Sequence, residues 1–90
     1  MAKIYKVNGE ILDIEPKNGS DFQLDELQGI VNGYIEILPL NNDEIMVVNE
    51  EGKIYGLEFN SLASQRMLAA GYRGDYIVGD VLVCKNDEVQ

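Results

Sequence analysis

Leu27-Gln28-Gly29-Ile30-Val31-Asn32-Gly33-Tyr34-Ile35-Glu36-Ile37-Leu38 changes its apolar period partway along, and the fold class turns on that change. Before it, Leu24, Leu27, Ile30 and Val31 recur at three- and four-residue steps, the spacing of one helix face. After it, Tyr34, Ile35, Ile37 and Leu38 crowd into an extended run. Asn32-Gly33 stands at the junction, where a helix needs a residue that tolerates positive φ in order to stop. The stretch reads as a short helix delivered directly into a central strand.

Upstream, Lys3 to Val7 alternates polar and apolar residues, as a half-buried strand does, and Glu10 to Glu15 follows Asn8-Gly9. Asn-Gly between two such runs predicts a hairpin with a type I′ turn, and Pro16 ends its second strand. Ser20-Asp21-Phe22-Gln23 has capping-box spacing for the start of the helix, with Asp21, Asp25 and Glu26 favoured by its dipole. Gly29 inside that helix costs about 1 kcal/mol relative to Ala, which a close approach to the sheet would explain.

Downstream, Asn41-Asn42-Asp43 predicts a turn and Glu44 to Asn49 an antiparallel return strand. Met46-Val47-Val48 in succession predicts burial on both faces, so this pair of strands is expected mid-sheet. Glu50-Glu51-Gly52 reads as a tight turn and Lys53-Ile54-Tyr55 as the start of a third strand of a meander. Asn60 or Ser61 caps a second helix from Leu62 to about Ala70, whose apolar face is Leu62, Ala63, Met67 and Ala70, with Gly71 beyond its end. Tyr76 to Cys84 supplies one or two last strand pieces around Gly79-Asp80, and Lys85 to Gln90 is expected to fray. The expected fold is α+β: one domain over residues 1–90, with a mostly antiparallel, curved sheet of five or six strands and two short helices packed on it.

Ninety residues leave room for one small core, and 46 % hydrophobic content is ordinary for a globular chain. No window holds the roughly 18 consecutive apolar residues of a membrane span, and the N-terminus carries no signal-peptide block. The single cysteine, Cys84, forms no internal disulfide, so a cytoplasmic location is expected. Seven basic against sixteen acidic residues give a formal charge of −9. That balance disfavours direct binding to nucleic acid or to a membrane surface, permits a basic protein partner, and also serves solubility alone.

The chain has no histidine, which removes the commonest general base and the usual Ser-His and Cys-His pairs. No phosphate-loop, dinucleotide-binding or CxxC pattern is present, and no metal or cofactor is expected. Glu36, Glu50, Glu51, Glu58 and Asp80 leave carboxylate chemistry formally open, but carboxylates on an acidic surface are usually just solvated. Asn49 to Lys53 lacks the alternating ligands of a calcium loop and reads as a turn closed by Gly52. Tyr5, Tyr34, Tyr55, Tyr72 and Tyr76 offer planar surfaces suited to interfaces or base stacking, or simply cover core edges. Lys53, Arg66 and Arg73 are the cations placed to help hold an anion. The candidate ligand-binding residues are therefore Tyr34, Asn49, Lys53, Tyr55, Asn60, Arg66, Arg73 and Tyr76, with no catalytic residue assigned.

Leu27-Gln28-x-Ile30-Val31-x-Gly33-Tyr34-Ile35-Glu36, Asn49-Glu50-Glu51-Gly52-Lys53, Gly56-Leu57-x-x-Asn60 and Ile77-x-Gly79 together resemble the domain-of-unknown-function family 3846. The likeness runs from about Leu24 to Cys84. Asn32 stands where that pattern often has a second glycine, and Ser61 to Gly74 is particular to this chain. The resemblance implies a small cytoplasmic product of a phage or mobile element, a setting in which counter-defence factors are common. It transfers no chemistry to individual residues. The expectation is a binding protein that is not an enzyme and is a homo-oligomer, sequestering a nucleotide-type immune signal between protomers. The alternative is an acidic inhibitor of a basic host protein that mimics nucleic acid, with Glu10, Asp13, Glu15, Asp43, Glu44 and Glu58 on one side.

Overall fold

Asn32 does end the first helix in the left-handed region, at φ 64°, with its N–H bonded back to the Gln28 carbonyl. In the computed structural model, which describes residues 2–89, the elements run β1 (Ala2–Tyr5), β2 (Ile11–Ile14), α1 (Leu24–Val31), β3 (Ile35–Pro39), β4 (Glu44–Asn49), α2 (Ser61–Ala69) and β5 (Val81–Lys85). A 3-10 turn, Asn86–Glu88, follows. The five strands form one open sheet in the order β2-β1-β5-β4-β3, every neighbouring pair antiparallel.

Strand alternation explains why both faces of β4 and β5 are apolar. Ile45, Val47, Leu82 and Cys84 pack on Leu27 and Val31 of α1. Met46, Val48, Val81 and Val83 pack on Ala63 and Met67 of α2. The two helices therefore lie on opposite faces, and each fully buried Leu or Val contributes about 1.5–3 kcal/mol. Leu24, placed on the buried face by its spacing, is 57 % exposed instead.

Several local expectations change. The Asn8-Gly9 hairpin forms, but only Gly9 has positive φ. Gly9 N–H donates to Lys6 C=O and Lys6 N–H to Glu10 C=O, at 3.0 and 2.9 Å. This is a three-residue loop closed by a glycine bulge, not a type I′ turn. The helix start lies three residues later than the Ser20 capping box, because Phe22 is fully buried and its N–H bonds to Glu88 C=O at 2.6 Å. Gln23 takes the N-cap, and the Glu26 carboxylate accepts from the N–H groups of Gln23 and Lys17, each at 2.9 Å. Those two donors hold Glu26 below the usual carboxylate range. Gly29 is exposed, and a Cβ there would meet nothing within 4 Å, so no close approach to the sheet explains it.

β3 is an edge strand, and only β4 of that pair is central. The other side of β4 is taken by β5, so Lys53-Ile54-Tyr55 adds no strand. Residues 50–56 instead form a series of turns, with Tyr55 N–H bonded to Glu51 C=O and Gly56 N–H to Lys53 C=O. The tail expected to fray is tied down as far as it is described. Lys85 belongs to β5, Lys85 N–H donates to the Glu88 carboxylate at 2.7 Å, and Val89 bridges Phe22; Gln90 lies outside the described residues.

Candidate functional site

Glu36 and Leu38 of β3 and Val48 of β4 share the sheet face that carries α2, since each lies at the same parity of the β3–β4 register. Beyond the end of α2, the chain returns past this face and is anchored there. Ile77 N–H donates to Ser64 Oγ at 2.9 Å, Asn60 N–H donates to Ile77 C=O at 2.8 Å, and Phe59 bridges Val78. The 50–56 turns close the third side. The result is a cleft of about 150 Å³ between β3–β4, the Lys53-Ile54 turn and the Asp75–Val78 segment.

Three carboxylates, Glu36, Glu50 and Asp75, line this cleft against a single cation, Lys53. Lys53 is already engaged. Its ammonium forms an ion pair with Asp75 and lies 4.3 Å from the centre of the Tyr76 ring. The hydrogen bond to Asp75 is the main cause holding the Lys53 ammonium above its ordinary pKa, with the Asp75 and Glu36 charges adding to it. The same bond, with the Tyr76 N–H, holds Asp75 below the usual carboxylate range. Tyr76 is half exposed, at 47 %, and its ring lies 6.2 Å from that of Phe59. Ile54 beside it is 81 % exposed. Among the described residues no group of three His, Cys, Asp or Glu is placed to hold a metal ion, so these carboxylates surround the cleft without converging on a point.

Of the expected ligand-binding residues, Asn49, Lys53 and Tyr76 meet here. Asn49, however, spends its amide on the fold. Its Nδ2 donates to Val31 C=O at 2.9 Å and its Oδ1 accepts from Glu51 N–H at 2.8 Å, fastening the end of α1 to the end of β4. Asn60 is fully buried and equally committed. Its Oδ1 accepts from Ala63 N–H at 3.0 Å as the cap of α2, and its Nδ2 donates to Tyr5 C=O and Gly79 C=O, each at 2.8 Å. Tyr34 and Tyr55 flank a separate groove of about 290 Å³ that has Glu51 on its wall and no cation. Arg66 pairs with Glu44 at 2.5 Å and lies 5.9 Å from the Tyr5 ring. Arg73 is exposed and lines neither groove. Lys53, Arg66 and Arg73, the cations placed to help hold an anion, line no common groove.

The six carboxylates grouped for a nucleic-acid mimic are not all free. Two of the six are neutralised, Asp13 by Lys3 and Glu44 by Arg66, each at 2.5 Å. Sequence reasoning missed Asp75 as a partner of Lys53, because 22 residues separate them and no local spacing links them. The Glu36 side chain was legible only as one of many carboxylates until β3 proved to be an edge.

Among the described residues no helix is long and apolar enough to cross a membrane. The sequence profile described as a domain of unknown function (DUF3846) matches residues 3–90. No curated protein and no solved structure matches the chain. With nearly its whole length inside that match, the chain belongs to the DUF3846 family.

Proposed function

We propose that this protein is a non-catalytic binding protein that engages a basic segment of another protein through the cleft beside β3. The observation that carries this reading is the charge and aromatic content of the cleft. Three carboxylates outnumber one ammonium, and that ammonium already rests on the Tyr76 face as an incoming lysine or arginine would. A phosphate entering the same space would face Glu36 and Glu50 and would have to separate Lys53 from Asp75. The Tyr34–Tyr55 groove offers stacking surface but no cation for a phosphate. These observations favour the inhibitor of a basic partner over the nucleotide sponge, in a form that does not imitate a phosphate backbone. At about 150 Å³ the cleft suits one long side chain rather than a ligand needing about 300 Å³ or more.

In the mobile-element setting that the family resemblance implies, the partner would be a cytoplasmic host protein and the role counter-defence. Isothermal titration with an oligo-arginine peptide tests the chemistry without knowledge of that partner. Binding is expected to weaken steeply with added salt and to fall about tenfold or more in Glu36→Gln/Glu50→Gln. Equal binding by that double variant would remove the cleft from the reading. Tighter binding of a nucleotide than of the peptide would restore the sponge.

A further inference from the structure

β3 is open along one side, and its hydrogen-bond parity fixes which groups are free. Tyr34 C=O accepts from Glu50 N–H and Leu40 N–H donates to Glu44 C=O, so the even-numbered residues of this strand bond to β4. Alternation then directs the N–H and C=O of Ile35 and Ile37 away from the sheet. The edge is closed at its far end, where Pro39 has no N–H and its carbonyl accepts from Tyr72 Oη at 2.8 Å. Ile37, on the face of α1, is 42 % exposed. Glu36, on the other face, looks into the acidic cleft.

We infer that the partner segment binds as an added antiparallel strand on β3, with a basic residue opposite Glu36 and an apolar residue opposite Ile37. This rests on the reading of the cleft as a site for a basic partner, and it adds the mode of binding. In such a pairing the residue opposite Ile37 exchanges both backbone hydrogen bonds with it, and its side chain covers the exposed face of Ile37. The residue opposite Glu36 forms a non-hydrogen-bonded pair, in which side chains lie closest, and its cationic end meets Glu36 and Glu50, the two cleft carboxylates that Lys53 leaves unpaired. The outer edge of β2 is also open, but Asp13 there already holds Lys3. Charge complementarity therefore selects β3. Because Pro39 and Tyr72 stop the edge, the docked strand is short, and the cleft contact sets its register.

The test uses an alternating Arg-Val peptide of about eight residues, titrated into the full chain. In one version the valine nitrogens are methylated, in another the arginine nitrogens. Valine methylation is expected to weaken binding about tenfold or more, and arginine methylation less than about twofold, because only the former removes N–H groups aimed at β3. In parallel, Ile37→Pro removes an outward N–H at a position where an edge strand tolerates proline, and is expected to weaken binding similarly. Should that variant fail to fold, the peptide series still decides. Binding that is indifferent to which nitrogen is methylated would overturn strand addition and leave the cleft reading intact. An absence of binding by both this peptide and oligo-arginine would overturn both.

Discussion

Replacing Asn60 by alanine removes more than a helix cap. The cap bond to Ala63 N–H is worth about 1 kcal/mol. The amide also supplies the hydrogens for Tyr5 C=O at the end of β1 and Gly79 C=O ahead of β5. Asn60 is fully buried, so water cannot replace those hydrogens without an opening of the structure. Each stranded carbonyl costs about 1–2 kcal/mol. The expected loss is about 3–5 kcal/mol, against a total stability of about 5–13 kcal/mol for a chain of this length. Urea unfolding followed by circular dichroism should show the midpoint falling by about 2–3 M with little change in slope. Asn60→Asp separates the two roles, since it keeps an acceptor for Ala63 and loses both donors. It should be at least as destabilised as the alanine variant. A loss below about 1 kcal/mol in Asn60→Ala, or a native-like Asn60→Asp, would refute the assignment of this residue to the fold and return it to the candidate ligand site.

Gly29→Ala should stabilise the protein by about 0.5–1 kcal/mol in the same assay, since the added Cβ meets nothing and the helix gains propensity. Burial pushes the Cys84 thiol up to about 12, so a chromogenic disulfide reagent should react with it only after denaturant is added; prompt reaction in buffer would show that this face of the sheet is open. Glu26 is held below the usual carboxylate range by the Gln23 and Lys17 N–H groups, so its contribution is present in full above the ordinary carboxylate pKa and is lost as pH falls through the folded value. The stability difference between the native chain and Glu26→Gln should therefore shrink below about pH 4, and urea midpoints measured across that range check it.

The local punctuation of this fold was open to reading. Asn32 stops α1, Asn60 caps α2 and Asn42 and Asp43 turn the β3–β4 hairpin with positive φ, each because its own short side chain tolerates or satisfies the backbone there. What eluded sequence was non-local. β5 comes last in the chain yet enters the middle of the sheet between β1 and β4, so the short loop after β4 pointed to a meander that the sheet has no place for. The capping box at Ser20 was locally sound and lost to the burial of Phe22, a tertiary contact with the chain's far end. The site behaves in the same way. Tyr76 and Lys53 were legible as types, but the pairing of Lys53 with Asp75 and the exposure of the β3 edge follow from packing alone. Asn49 and Asn60 looked like ligand groups because buried amides and binding amides are the same residue in a sequence.

A cleft beside β3 that selects cations would respond to a basic peptide and not to a nucleotide. The most direct measurement is a two-dimensional amide spectrum of the labelled protein titrated separately with oligo-arginine and with a cyclic dinucleotide. Saturable shifts are expected for Glu36, Glu50, Lys53, Asp75 and Tyr76 with the peptide and none there with the nucleotide. Saturable nucleotide shifts centred on Tyr34, Tyr55 or Arg73, with no response to the peptide, would contradict that selectivity.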